Sequence, residues 1–202
     1  MIDHKSSGTW KVAIILVMAI AAIGFSGLVT AEEDKGKYVG VEKCKNCHEA
    51  EYKGNQYAKW KEMAHSKAWE TLASEEAKKI NPNAQSDDKC IKCHVTAFGV
   101  PDSKKDDKFD RTMGVQCESC HGPGEKHVKA RLKAAAEADT GGDLFGMEEG
   151  EPEKQEVPEG EIVKEPGKDV CISCHNDESP TFKEFNFEEA KKQIAHPDPR
   201  SK

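Results

Sequence analysis

Eight cysteines and eight histidines are the residues of this 202-residue chain whose types and spacing point to chemistry. All eight cysteines fall into four copies of one pattern: Cys44-Lys45-Asn46-Cys47-His48, Cys90-Ile91-Lys92-Cys93-His94, Cys117-Glu118-Ser119-Cys120-His121 and Cys171-Ile172-Ser173-Cys174-His175. C-x-x-C-H is the attachment pattern of c-type haem. Two cysteines three residues apart can each form a thioether to one haem vinyl group, and the histidine that follows lies under the iron as its proximal ligand. Paired cysteines at this spacing also serve structural zinc, and exported chains use cysteine pairs as disulfides. Neither use explains a histidine directly after every second cysteine. The pattern therefore predicts four haem c groups on these eight cysteines, with His48, His94, His121 and His175 as proximal ligands.

The remaining histidines set a limit on the other iron faces. His4 precedes an apolar run and is set aside, which leaves His65, His127 and His196 as candidate distal ligands. Three imidazoles cannot serve four irons, so at least one iron lacks a second histidine from its own chain. Met63, Met113 and Met147 are the thioethers able to ligate iron, although a buried methionine more often packs.

Elements must hold these groups in place. Residues 49–80 are helix-prone, with Tyr52, Tyr57, Trp60, Ala64 and Ala68 near helical period, and Asn81-Pro82-Asn83 ends the run. Residues 99–110 read as a polar loop. Residues 127–138 read as a second helix closed by Gly141-Gly142, and residues 187–196 as a last short helix stopped by Pro197. The Glu- and Pro-rich stretch at 148–165 reads as a solvated insert that carries no site. With 36% hydrophobic and 33% charged residues the chain is poor in material for an aliphatic core, and flat apolar macrocycles would supply the deficit. The expected fold is mainly α: one compact, loop-rich domain over residues 35–198, with a haem-filled core and little or no sheet.

The N-terminus reads as an export signal. Lys5 and Lys11 precede an apolar run from Val12 to Phe25, Val29-Thr30-Ala31 offers small residues for cleavage, and Glu32-Glu33-Asp34 opens a polar chain. Two outcomes fit: cleavage that removes residues 1–31, or retention of Val12–Ala31 as a membrane anchor, since it is long enough to span a bilayer. Both put the rest outside the cytoplasm, in the periplasm. The whole chain carries a net charge of −7, and losing Lys5, Lys11 and Asp3 makes it one unit more negative. Such a surface argues against nucleic acid and suits a basic protein partner.

Several segments resemble the tetrahaem cytochrome c-554 family known from ammonia-oxidising bacteria. They are W-K-E-M-A-H-S-K-A from Trp60 to Ala68, D-K-C-I-K-C-H-V-T-A-F-G from Asp88 to Gly99 and G-V-Q-C-E-S-C-H-G-P-G from Gly114 to Gly124. F-N-F-E-E-A-K-K-Q-I-A-H from Phe185 to His196 matches more weakly. The resemblance implies a mainly helical fold with closely packed haems, three of them bis-histidine ligated and the second five-coordinate. By position, His127 would ligate the first haem opposite His48, His196 the third opposite His121, and His65 the fourth opposite His175. The haem of Cys90, Cys93 and His94 would keep an open face. Phe182 and Phe185 are expected to pack rather than cap that face, and Asp87, Asp88, Lys89 and Lys92 are expected to be surface charges.

The implied role is electron transfer between redox partners, with hydroxylamine oxidoreductase as the family's electron donor. A small-molecule reductase acting on nitric oxide at the open haem is the rival class. A partner subunit of a larger oxidoreductase complex is a third.

Overall fold

The computed structural model describes residues 34–139 and 156–200. The chain divides into Met1–Asp34 and Lys35–Lys202. The expected signal or anchor, His4, Met147 and residues 148–155 of the Glu- and Pro-rich stretch lie outside the described residues. Among the described residues no helix is long and apolar enough to cross a membrane.

The second unit is built from short helices. They are α1 (Val41–His48), α2 (Gln56–Glu62), α3 (Ala68–Thr71), α4 (Glu75–Ile80), α5 (Asp88–His94), α6 (Cys117–His121), α7 (Glu125–Asp139), α8 (Lys168–Ile172) and α9 (Phe187–Ile194), with single 3-10 turns between several of them. The described residues form no strand; Tyr38 and Lys105 make one isolated parallel bridge. The mainly α, loop-rich expectation is met.

The helix-prone run over 49–80 is helical in short pieces, and the breaks between them have local causes. Gly54 and Asn55 both adopt left-handed backbone, at φ 92° and 44°. Asn55 then caps α2 by accepting from the Ala58 amide at 3.2 Å. Met63 is extended, and Ser74 starts α4 afresh by accepting from the Ala77 amide at 3.1 Å. Of the residues at helical period, Tyr57, Trp60 and Ala68 are buried while Tyr52 and Ala64 are exposed, and the breaks interrupt the hydrogen-bond ladder between the pieces. The helix expected at 127–138 runs from Glu125 to Asp139. The last helix ends at Ile194, two residues before His196.

Among the described residues, two small apolar clusters form the aliphatic core. Val41, Tyr57 and Trp60 pack with Met113 and Cys117. Leu72, Ala84, Ile91 and Val95 pack with Trp69 and Cys90. Between them run buried polar ties centred on the third motif. Glu118 is 2% exposed, and its carboxylate accepts from the amides of Val39 (2.8 Å), Gly40 (2.7 Å) and Gly124 (2.7 Å). The Gln116 side chain accepts from the Val41 amide at 2.8 Å and donates to the Asp110 carbonyl at 2.8 Å. The Thr96 hydroxyl accepts from the Gln116 amide at 2.7 Å. Buried polar groups are tolerable only when satisfied in this way, and the satisfied set stitches residues 39–41 to α6.

Candidate functional site

Each C-x-x-C-H pattern sits on a helical turn. The first three occupy α1, α5 and α6, and the fourth starts in α8 and finishes in the turn after it, where the His175 amide donates to the Cys171 carbonyl at 2.9 Å. Residues three apart on a helical turn share a face, so the two thiols of each motif point the same way. No disulfide joins them, and all eight cysteines are free.

The motifs also come together in pairs. The thiols of Cys44 and Cys117 are neighbours; their mutual interaction, with burial behind it, raises Cys44 far above the ordinary thiol range, and the same interaction lowers Cys117. Burial and the neighbouring Cys174 push Cys93 up to about 11. Burial, followed by Cys171, pushes Cys120 up to about 11. Cys93 and Cys174 open on a cavity of about 260 Å³ whose walls include Tyr38, Val95, Phe98 and Ser119. The first motif thus adjoins the third, the second adjoins the fourth, and the third also meets the fourth through Cys120 and Cys171.

Six of the seven candidate histidines are brought together two by two. The ring centroids of His48 and His127 lie 6.2 Å apart, those of His65 and His175 6.0 Å, and those of His121 and His196 5.9 Å. A metal–imidazole bond is about 2 Å and the ligating nitrogen lies about 1.1 Å from the ring centroid, so two imidazoles on opposite sides of one metal put their centroids about 6.2 Å apart. The spacing fits one iron between each pair. His94 has no such ring partner among the described residues.

The far nitrogens are mostly occupied. Nδ1 of His94 donates to the Ala68 carbonyl (2.7 Å), that of His121 to the Val163 carbonyl (2.6 Å) and that of His196 to the Ile194 carbonyl (2.7 Å). Nδ1 of His127 donates to the Glu161 carboxylate (2.7 Å), and Nδ1 of His48 lies 3.4 Å from Gln56 Oε1. Such bonds fix the tautomer and leave Nε2 as the bare nitrogen. Burial lowers the pKa of His48, His65 and His121 from 6.5, which favours the neutral form that a metal requires. Among the described residues no three His, Cys, Asp or Glu side chains group as a metal cluster. Thiols in pairs and imidazoles in pairs are the donor set that a c-type haem needs.

Other candidates take plainer places. Met113 packs in the Val41 cluster. Phe185 stacks on His175, centroids 4.8 Å apart, and Phe182 is exposed. Asp87 is more than a surface charge, since it caps α5 by accepting from the Lys89 amide at 2.9 Å. Lys92 pairs with Glu178. The sequence reading missed Glu161 and Val163, which lie within the stretch expected to carry no site. Glutamates crowd that stretch, so no local signal distinguishes Glu161 from its neighbours.

Comparison with known proteins gives the following. Residues 43–122 match the family described as cytochrome c554 and c-prime. A protein of Nitrosomonas europaea named cytochrome c-554 is 32% identical over 152 residues, which cover 68% of this chain and 57% of the relative. The chain therefore spans little more than half the length of that relative. No solved structure matches.

Proposed function

The chain belongs to the cytochrome c-554 family, and from that premise we propose that it is an exported electron carrier holding four covalent haem c groups and passing electrons between redox proteins. The observation that carries this reading is the set of three imidazole pairs at 5.9–6.2 Å. Bound haem supplies reversible one-electron chemistry at iron. The chain's part is to attach, ligate and bury it. Cys44 and Cys47, Cys90 and Cys93, Cys117 and Cys120, and Cys171 and Cys174 hold the macrocycles. His48, His94, His121 and His175 ligate from the motif side. His127, His196 and His65 close the opposite faces of the first, third and fourth sites. A site closed by two imidazoles has no room for substrate, which suits a relay. Meeting of the first motif with the third, and of the second with the fourth, keeps the haems near enough for electrons to pass without moving parts. The apolar macrocycles complete a core that the two aliphatic clusters leave small.

A second reading rests on His94. Its Nδ1 is held by Ala68 and, among the described residues, no imidazole stands opposite its ring, so its iron is the one able to bind a small molecule. Reduction of nitric oxide there is the alternative activity. Hydroxylamine oxidoreductase, the donor of the family, is the first redox partner to try.

The test combines mass and spin state. The mature protein is expected to carry four haem additions, with three low-spin irons and one high-spin iron by electron paramagnetic resonance. Changing His65, His127 or His196 to Ala is expected to turn one further haem high-spin each. Four low-spin irons in the native protein would overturn the open second site. Fast nitric oxide turnover without electron exchange with a partner cytochrome would favour the enzyme.

A further inference from the structure

The short run from Glu161 to Val163 reaches two of the paired histidines. Glu161 is almost fully buried, its side chain 7% exposed. One carboxylate oxygen accepts from His127 Nδ1 at 2.7 Å and the other from Arg131 Nη2 at 2.9 Å. His127 and Arg131 lie one turn apart on α7, so a single carboxylate spans both. Arg131 also donates through Nη1 to the Glu156 carbonyl at 3.2 Å. Two residues on, the Val163 carbonyl accepts from His121 Nδ1 at 2.6 Å and the Val163 amide donates to the His121 carbonyl at 3.0 Å. This run buttresses the histidines from behind.

The acceptors differ in kind. His94, His121 and His196 give Nδ1–H to backbone carbonyls, which are neutral. Among the described residues, only His127 gives it to a carboxylate. A carboxylate behind an imidazole raises the basicity of the ligating nitrogen. A more basic axial ligand stabilises ferric over ferrous iron, and the potential of a haem follows its axial ligand and the hydrogen bonds behind it.

We propose that Glu161, held by Arg131, is a positioning residue for the first haem: it orients His127 with Nε2 toward His48 and lowers the reduction potential of that haem alone. The proposal rests on the reading of His127 as an iron ligand. It gives one of the bis-histidine sites a distinct potential from a charge that its ligand alone carries, so the relay is graded by a segment outside all four motifs.

Two variants of the holoprotein test it with opposite signs. Glu161→Gln keeps the shape and an acceptor oxygen but removes the charge, so the potential of one haem is expected to rise and its low-spin resonance to shift, with the haem content unchanged. Arg131→Gln leaves the carboxylate less neutralised, so the potential of the same haem is expected to fall. A merely structural prop would move both variants in the same direction or cost the low-spin state. The haem concerned is the one whose low-spin signal disappears in His127→Ala. If His127→Ala leaves every signal in place, the ligand reading itself fails. If that variant behaves as expected but Glu161→Gln moves no potential, or Arg131→Gln moves it upward, this proposal is overturned.

Discussion

At the residue scale, Glu118 shows how a motif residue can serve the fold. It lies between the two cysteines of the third motif, where the attachment pattern leaves the residue type open. Burial raises its pKa, and the three backbone amides it receives from Val39, Gly124 and Gly40 oppose the rise. The carboxylate therefore matters as a triple acceptor. Glu118→Gln turns one acceptor oxygen into an amide that faces N–H donors. The expected loss is about 1–3 kcal/mol of stability, the usual consequence of leaving a buried donor unmet. Denaturant unfolding of the holoprotein checks it, and an unchanged midpoint would show that residues 39–41 hold without this tie. His127 makes the complementary point. The count of histidines outside the motifs marks it as a candidate ligand, but the carboxylate behind it belongs to a residue that no motif announces.

At the element scale, the molecule is held by close approaches between short pieces rather than by long helices. The clearest is at Gly114, which has φ +75° and precedes α6. A Cβ there would stand 2.7 Å from the His65 carbonyl oxygen and 3.0 Å from that of Ser66. The same stretch ties to the His65 turn through the Val115 amide, which donates to the His65 carbonyl at 2.9 Å. The Trp60 indole N–H adds a bond to the Val115 carbonyl at 2.9 Å. Gly114→Ala combines a backbone conformation that favours glycine with a collision against backbone. It is expected to destabilise the protein by roughly 1–3 kcal/mol and to disturb the resonance of the haem that His65 is proposed to ligate, which a spectrum of the variant reads directly. The helix-prone run over 49–80 is divided into short pieces for related reasons. Gly54 and Asn55 turn left-handed, and the break at Met63 lets the His65 turn reach across to Val115.

At the scale of the whole molecule, acidification provides the test. Burial is the foremost cause holding His48, His65 and His121 below 6.5. In the native state these rings stay neutral while the unfolded chain takes up protons near 6.5. Their contribution is therefore fully present above that pH and is lost as the pH falls from 6.5 through the lower folded values. Iron ligation needs the same neutral form and acts in the same direction. Unfolding free energies measured from about pH 8 to about pH 5 are expected to be flat at first and then to decline. A rise in stability on acidification would contradict the burial of these rings.

The sequence by itself determined what is local and countable. Four copies of C-x-x-C-H name eight cysteines and four histidines, because attachment depends on a spacing that one helical turn delivers. Counting the other histidines leaves them one short of the four irons that the motifs predict. Resemblance carried the family and an expected pairing, and the mainly α class followed from helical period and few strand signals. Tertiary structure alone decided which rings meet. His48 and His127, His65 and His175, and His121 and His196 are far apart in the chain, and only packing of separate elements brings them within about 6 Å. It also decided that Glu161 and Val163, in a stretch whose composition signals solvent, stand behind His127 and His121. Composition reports what a segment can do without partners, and a buried ion pair exists only once its partners are assembled around it.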